Sequence, residues 1–146
     1  MATVTELPEL LDETKAGNYF VSNYPPYSLW TEEHATEAHA VLNRPPARLS
    51  PLGIYIHIPF CRKRCHFCYF KVYTDKNSTE VEAYMDAVVE EYALYAAKPF
   101  IGGRKPTFIY FGGGTPSYIS STQLGRTVER MKQALSWDQA QEIELV

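Results

Sequence analysis

The chain has 146 residues, 45% of them hydrophobic and 21% charged, with a net charge of −3. That length accommodates one ordinary domain with a real core, and the composition excludes a largely disordered chain. The mild acidity gives no reason to expect nucleic acid as a partner, and no apolar run approaches the roughly 18 residues of a membrane span.

Residues 1–50 read as an N-terminal arm with one short helix. The opening stretch, MATVTELPELLDETKAG, is polar and acidic and lacks the basic-then-apolar order of a signal peptide, so a reducing cytoplasm is the expected location. NYPPYSLW (23–30), a helix candidate over 31–43 and RPPAR (44–48) follow, with Pro25, Pro26, Pro45 and Pro46 interrupting any long regular element. Tyr19, Phe20, Tyr24, Tyr27 and Trp30 suggest an arm that packs against something.

From residue 53 the pattern becomes strongly periodic. IYIHI (54–58) is β-branched and aromatic and is stopped by Pro59, as expected of a strand. Residues 78–97 predict a helix: Thr79 with Glu82 matches a capping box, and Val81, Tyr84, Met85, Val88, Val89 and Tyr92 form one apolar face. TFIYF (107–111) predicts a second strand, cut off by three glycines. A second helix over 122–135 carries Leu124, Val128, Met131 and Leu135 on one stripe, and EIELV (142–146) opens a third strand. Strand–helix–strand–helix–strand implies an α/β fold, a parallel sheet with right-handed crossover helices. The sequence stops inside the third strand, so 51–146 is expected to be the first part of a longer core, and residues 1–146 alone are expected to be at best marginally folded and inactive.

All three cysteines lie in FCRKRCHFCYF (60–70), at spacing C-x3-C-x2-C directly after the first strand. On the residues alone, three explanations compete. They are idle thiols; or Cys61, Cys65 and Cys68 join His57 or His66 in a tetrahedral zinc site; or they hold an iron–sulfur cluster. Zinc sites usually use two separated ligand pairs, and there is no second pair. Three thiolates on a four-iron cube leave one iron open to a further ligand, so the missing fourth cysteine would itself be functional.

GGGTP (112–116) follows the second strand. Glycine adopts positive φ freely and lets backbone N–H groups approach a ligand closely. Neither the phosphate-loop pattern nor G-x-G-x-x-G is present, so phosphate binding is not indicated. In isolation the segment reads as a tight turn.

Together, IYIHIPFCRKRCHFCYF and FGGGTPS resemble the radical S-adenosylmethionine (SAM) superfamily, and within it the oxygen-independent coproporphyrinogen III oxidase family; NYPPYSLW is similar to the arm of those oxidases. The resemblance implies the front part of a partial (β/α)6 TIM-like barrel, with 51–146 the first part of the radical SAM core. It implies that Cys61, Cys65 and Cys68 ligate three irons of a [4Fe–4S] cluster and that SAM chelates the fourth. Tyr55 would then lie beside SAM, His57 near the cluster, Phe67 and the Phe70 backbone near the adenine, and Gly112, Gly113 and Thr115 at the amino end of SAM; Glu144 is the nearest match to an acidic SAM contact in the third strand. The activity implied is reductive cleavage of SAM and hydrogen abstraction from a small-molecule substrate, in those oxidases a tetrapyrrole propionate that loses carbon dioxide. Reduced flavodoxin or a ferredoxin-type protein would supply the electron. Arg62, Lys63 and Arg64 would attract such an acidic donor or an acidic substrate, or form a solvated basic loop.

The sequence departs from the oxidases at one place. They usually carry a further cysteine two positions after the third, where this chain has Phe70. That leaves SAM cleavage untouched and keeps haem chaperones and radical SAM methyltransferases on the same scaffold in view, with a zinc-stabilised binding module as the alternative of a different class.

Overall fold

A computed structural model describes residues 29–48, 50–68 and 70–146. Tyr19, Phe20, Tyr24 and Tyr27 lie outside the described residues, and Trp30 is 53% exposed. Helix α1 spans Glu32–Leu42 within the expected 31–43; it buries no residue, and Glu32 and Glu33 in its first turn complement the helix dipole.

Residues from His39 onward form one compact unit. It contains β1 (Leu52–Ile58), α2 (Ser78–Ala96), β2 (Pro106–Gly113), a 3-10 turn (Pro116–Tyr118), α3 (Ser121–Ala134) and β3 (Glu142–Leu145). The strands form one parallel sheet in the order β1-β2-β3, which makes β2 the central strand. The strand–helix alternation read from the sequence is the fold observed, and β1 and β2 are each longer than expected. β1 begins two residues earlier, and β2 runs on through Gly112 and Gly113, which pair with His57 and Ile58. Those glycines look like a strand breaker in sequence, whereas here they extend the ladder.

Side chains alternate across the sheet. Ile56, Ile58, Ile109 and Phe111 join Val81, Met85, Val89, Tyr92 and Met131 in the core beneath the helices. The opposite face carries rows set by the register. Tyr55, Tyr110 and Glu144 form one row, Gly53, Phe108 and Glu142 a second, and His57 with Gly112 a third. The apolar face expected for α2 is the one that packs inward, with Tyr84 and Val88 partly buried at its margin.

Both main helices start on capping boxes. That of α2 is Asn77 with Glu80, not Thr79 with Glu82. Asn77 accepts from the Glu80 N–H at 3.0 Å, and Glu80 returns the bond to the Asn77 N–H at 3.0 Å. Asn is at least as good a cap as Thr, and Glu82 instead ion-pairs with Arg126 of α3. Ser120 with Gln123 opens α3, and a second pair, Arg130 with Asp86, aligns the two helices. Both ion pairs are solvent-exposed, so their contribution is small. Trp137, beyond α3, closes the core and donates its indole N–H to the Tyr92 hydroxyl at 2.9 Å.

Candidate functional site at the carboxyl ends of the first two strands

In open α/β sheets ligands gather at the carboxyl ends of the strands. The cysteine loop leaves the end of β1, and the glycine segment leaves the end of β2 beside it. The neck of the cysteine loop is closed by a bridge between Phe60 and Tyr73. The Cys61 N–H donates to the Tyr73 carbonyl at 3.0 Å, and the Tyr73 N–H donates to the Pro59 carbonyl at 2.8 Å. Phe60 is buried, its ring edge-on to Tyr84 and stacked with Tyr118.

The glycine segment is fastened to the same neck. The Gly114 N–H donates to the Ile58 carbonyl at 2.7 Å and the Thr115 N–H to the Phe60 carbonyl at 2.8 Å. The approach leaves no room for a side chain. A Cβ at Gly114 would sit 2.7 Å from the Phe60 oxygen and 2.9 Å from Cys61 Sγ. Gly113 has φ +114° and lies against His57, while a Cβ at Gly112 would strike Tyr110 and crowd Tyr55. Gly114 carries no signal in the sequence beyond its membership of the triplet.

The expected site residues divide into those drawn together and those left apart. On the sheet face opposite the helices, Tyr55 and Tyr110 stack at 5.9 Å, and Phe108 stacks on Tyr110 at 6.1 Å. The Tyr55 hydroxyl and His57 Nδ1 hydrogen-bond at 2.9 Å, and the Phe70 ring lies edge-on to His57 at 6.4 Å. Gly112 and Gly113 stand beside this group, whereas Thr115 contacts Phe60 and Cys61 at the root of the cysteine loop. Phe67, by contrast, is 80% exposed, and so is not packed into the ring cluster. Cys61 is buried, Cys68 half-buried and Cys65 exposed, all three as free thiols. Arg62, Lys63, Arg64 and His66 are exposed, and Arg64 donates to the Cys68 carbonyl at 3.0 Å.

Burial holds the His57 imidazole below its ordinary range, favouring the neutral ring, and raises the Tyr55 hydroxyl above its usual value, with Tyr110 adding to the effect. Glu144, in the row of Tyr55 and Tyr110, is pushed up chiefly by its hydrogen bond to Glu142, then by burial and the Glu142 charge. Tyr84 supports this group in a way that its helical spacing, which marks it only as core, does not reveal: its hydroxyl donates to the His57 carbonyl at 2.8 Å.

The donor set fits an iron–sulfur cluster. It offers three thiols and no disulfide in one loop, with a glycine cradle at Gly114 that a Cβ would fill against Cys61. Among the described residues no three His, Cys, Asp or Glu side chains converge closely enough for a single metal ion. A tetrahedral zinc site requires that convergence, whereas a cluster takes each thiolate at a different iron.

No family model matches the chain. The oxygen-independent coproporphyrinogen III oxidase of Escherichia coli is 30% identical over 125 residues, 85% of this chain and 26% of that protein. A solved structure described as "Coproporphyrinogen III oxidase (HemN) from Escherichia coli is a Radical SAM enzyme" superposes with a TM-score of 0.66 at 28% identity, covering 84% of this chain and 28% of the other. The chain is a homologue of the oxygen-independent coproporphyrinogen III oxidases. It spans about a quarter of the length of the curated relatives it matches. The heme chaperone HemW of Buchnera aphidicola is also similar, 31% identical over 96 residues, 66% of this chain and 25% of that protein. HemN-like architecture thus accounts for the parallel sheet and for the two loops that meet at its end. Among the described residues no helix is long and apolar enough to cross a membrane.

Proposed function

We propose that this chain carries the cluster- and SAM-binding part of a radical SAM enzyme that acts on a small-molecule substrate in the manner of the coproporphyrinogen III oxidases. The observation that carries this reading is the fastening of the glycine segment onto the root of the three-cysteine loop, at the carboxyl ends of two adjacent parallel strands. Cys61, Cys65 and Cys68 would hold a [4Fe–4S] cluster. When bound, that group supplies the electron for reductive cleavage of SAM, which initiates hydrogen abstraction from the substrate.

The chain's own residues prepare the site for this. Gly112 and Gly113 let the Tyr55, Tyr110 and His57 rings pack against the end of β2, where the backbone of these glycines would meet the amino end of SAM, and Thr115 offers a hydroxyl there. Tyr55 presents a half-exposed ring on which an adenosyl group can lie, with Phe67 and the Phe70 backbone reaching it from the loop. Neutral His57 leaves the cationic sulfonium of SAM unrepelled. Arg62 and Lys63, exposed on the same loop, suit an acidic protein electron donor of the flavodoxin or ferredoxin kind.

The test is electron paramagnetic resonance of the anaerobically reconstituted, dithionite-reduced protein with and without SAM. A cluster signal that changes shape on adding SAM is expected. A cluster indifferent to SAM, or iron-free protein carrying zinc, would overturn the reading.

A haem chaperone is the second reading, favoured by the similarity to HemW. It predicts tight stoichiometric haem binding and no decarboxylated product from coproporphyrinogen III.

A further inference from the structure

Thr115 occupies the N-cap position of the 3-10 turn, yet its side chain makes no capping bond. The usual target of a Thr cap is an N–H at the second or third position of the helix. Here the Tyr118 N–H is already taken by the backbone carbonyl of Thr115 at 2.8 Å, and Pro116 at the first position has no N–H to offer. The hydroxyl instead turns toward the cysteine loop and donates to Cys61 Sγ at 3.5 Å. Its direction is well determined. The Thr115 backbone is pinned by its own N–H on Phe60, and a β-branched side chain has few χ1 choices. Cys61 is the most buried of the three thiols, so water competes least for this sulfur.

We propose that Thr115 is a positioning and tuning residue for the Cys61 thiolate, setting the reduction potential of the group that this thiolate binds. This rests on the cluster reading above and deepens it. A hydrogen bond to a ligating sulfur draws electron density from it, favours the more negative reduced state and raises the potential. A hydroxyl donates once and accepts twice, so donation to Cys61 leaves Thr115 able to accept from a SAM amino group. The tuning therefore operates before SAM arrives.

The experiment is a spectroelectrochemical titration of the anaerobically reconstituted full chain without SAM, comparing wild type with Thr115→Val and Thr115→Ser. Val keeps the shape and the backbone bond to Phe60 and removes the donor; Ser keeps the donor. Thr115→Val is expected to shift the one-electron reduction equilibrium about tenfold toward the oxidised form, a change of about 59 mV to more negative potential, while Thr115→Ser stays close to wild type. An unchanged potential in Thr115→Val with full iron and sulfide content would overturn the proposal. So would a Ser variant shifted as far as Val, because that would make the effect one of packing. Failure of the wild type itself to take up iron and sulfide would instead sink the cluster reading on which the proposal stands.

Discussion

A Cβ placed on Gly113 would stand 2.7 Å from both Cε1 and Nδ1 of the His57 ring. Adjacent parallel strands therefore meet here with the imidazole filling the space that any other residue at 113 would claim. Gly113 also has φ +114°, which an L side chain tolerates poorly. Gly103 offers a control, with φ +72° and nothing within 4 Å of an added methyl. Gly103→Ala should cost about 1–2 kcal/mol from backbone strain alone. Gly113→Ala should cost roughly 3 kcal/mol or more, because strain and collision add. Urea unfolding of the two variants checks this, and equal losses would show that the His57 contact is not what fixes the glycine.

Gly114→Ala tests the junction of the two loops. Its new methyl would meet Phe60 O at 2.7 Å, Cys61 Sγ at 2.9 Å and Ile58 O at 3.0 Å, two of them backbone atoms with little freedom to yield. Iron affinity after anaerobic reconstitution should fall by about tenfold or more, the range typical of disturbed outer partners of metal ligands. Far-UV circular dichroism should retain the helix signal of α2 and α3, since neither touches this methyl. Full iron and sulfide loading in the variant would refute the claim that the glycine cradle shapes the Cys61 position.

Tyr92→Phe leaves the indole N–H of Trp137 without its partner while Trp137 stays 6% exposed. An orphaned buried donor costs about 1–3 kcal/mol. The urea midpoint should drop with the slope unchanged, because the surface exposed on unfolding is nearly the same. A midpoint equal to that of wild type would mean that the bond contributes nothing net.

His57 gives the chain a pH dependence of known sign. Its folded pKa is held below the ordinary 6.5 by burial. The unfolded chain therefore takes up a proton first as pH falls, so this contribution to stability is present above 6.5 and is lost as pH drops toward the folded value. The stability of the cluster-free chain should fall with acid in that window, and His57→Gln should flatten the curve there. A variant whose acid dependence matches wild type would assign the effect to other groups.

The order of elements and the inward faces of α2 and α3 were legible because apolar spacing at about 3.6 residues survives in the sequence whatever the neighbours do. The cysteine loop and the glycine segment stand out for a different reason: all three cysteines fall in one loop, and the glycine triplet, a mere turn in isolation, takes its meaning from following one helix and one strand later. What escaped depends on tertiary register. Asn77 caps α2 with Glu80 returning the bond, while Glu82 pairs with Arg126 on another helix. Gly112 and Gly113 extend β2 because β1 presents His57 and Ile58 opposite them. Trp137 completes the core from a connection with no periodicity of its own, and Tyr84 reaches the His57 carbonyl across 27 positions of sequence. Contacts of this kind leave no local signature.

Phe60 stands where the contacts of both loops converge. Its ring lies between Tyr84 and Tyr118, its carbonyl accepts from Thr115, and its backbone pairs with Tyr73. The cysteine loop and the glycine segment thus share an anchor in Phe60, alongside the bonds of Gly114 to Ile58 and of Tyr73 to Pro59. A substitution that shifts Phe60 would therefore displace the roots of both loops together rather than either one alone.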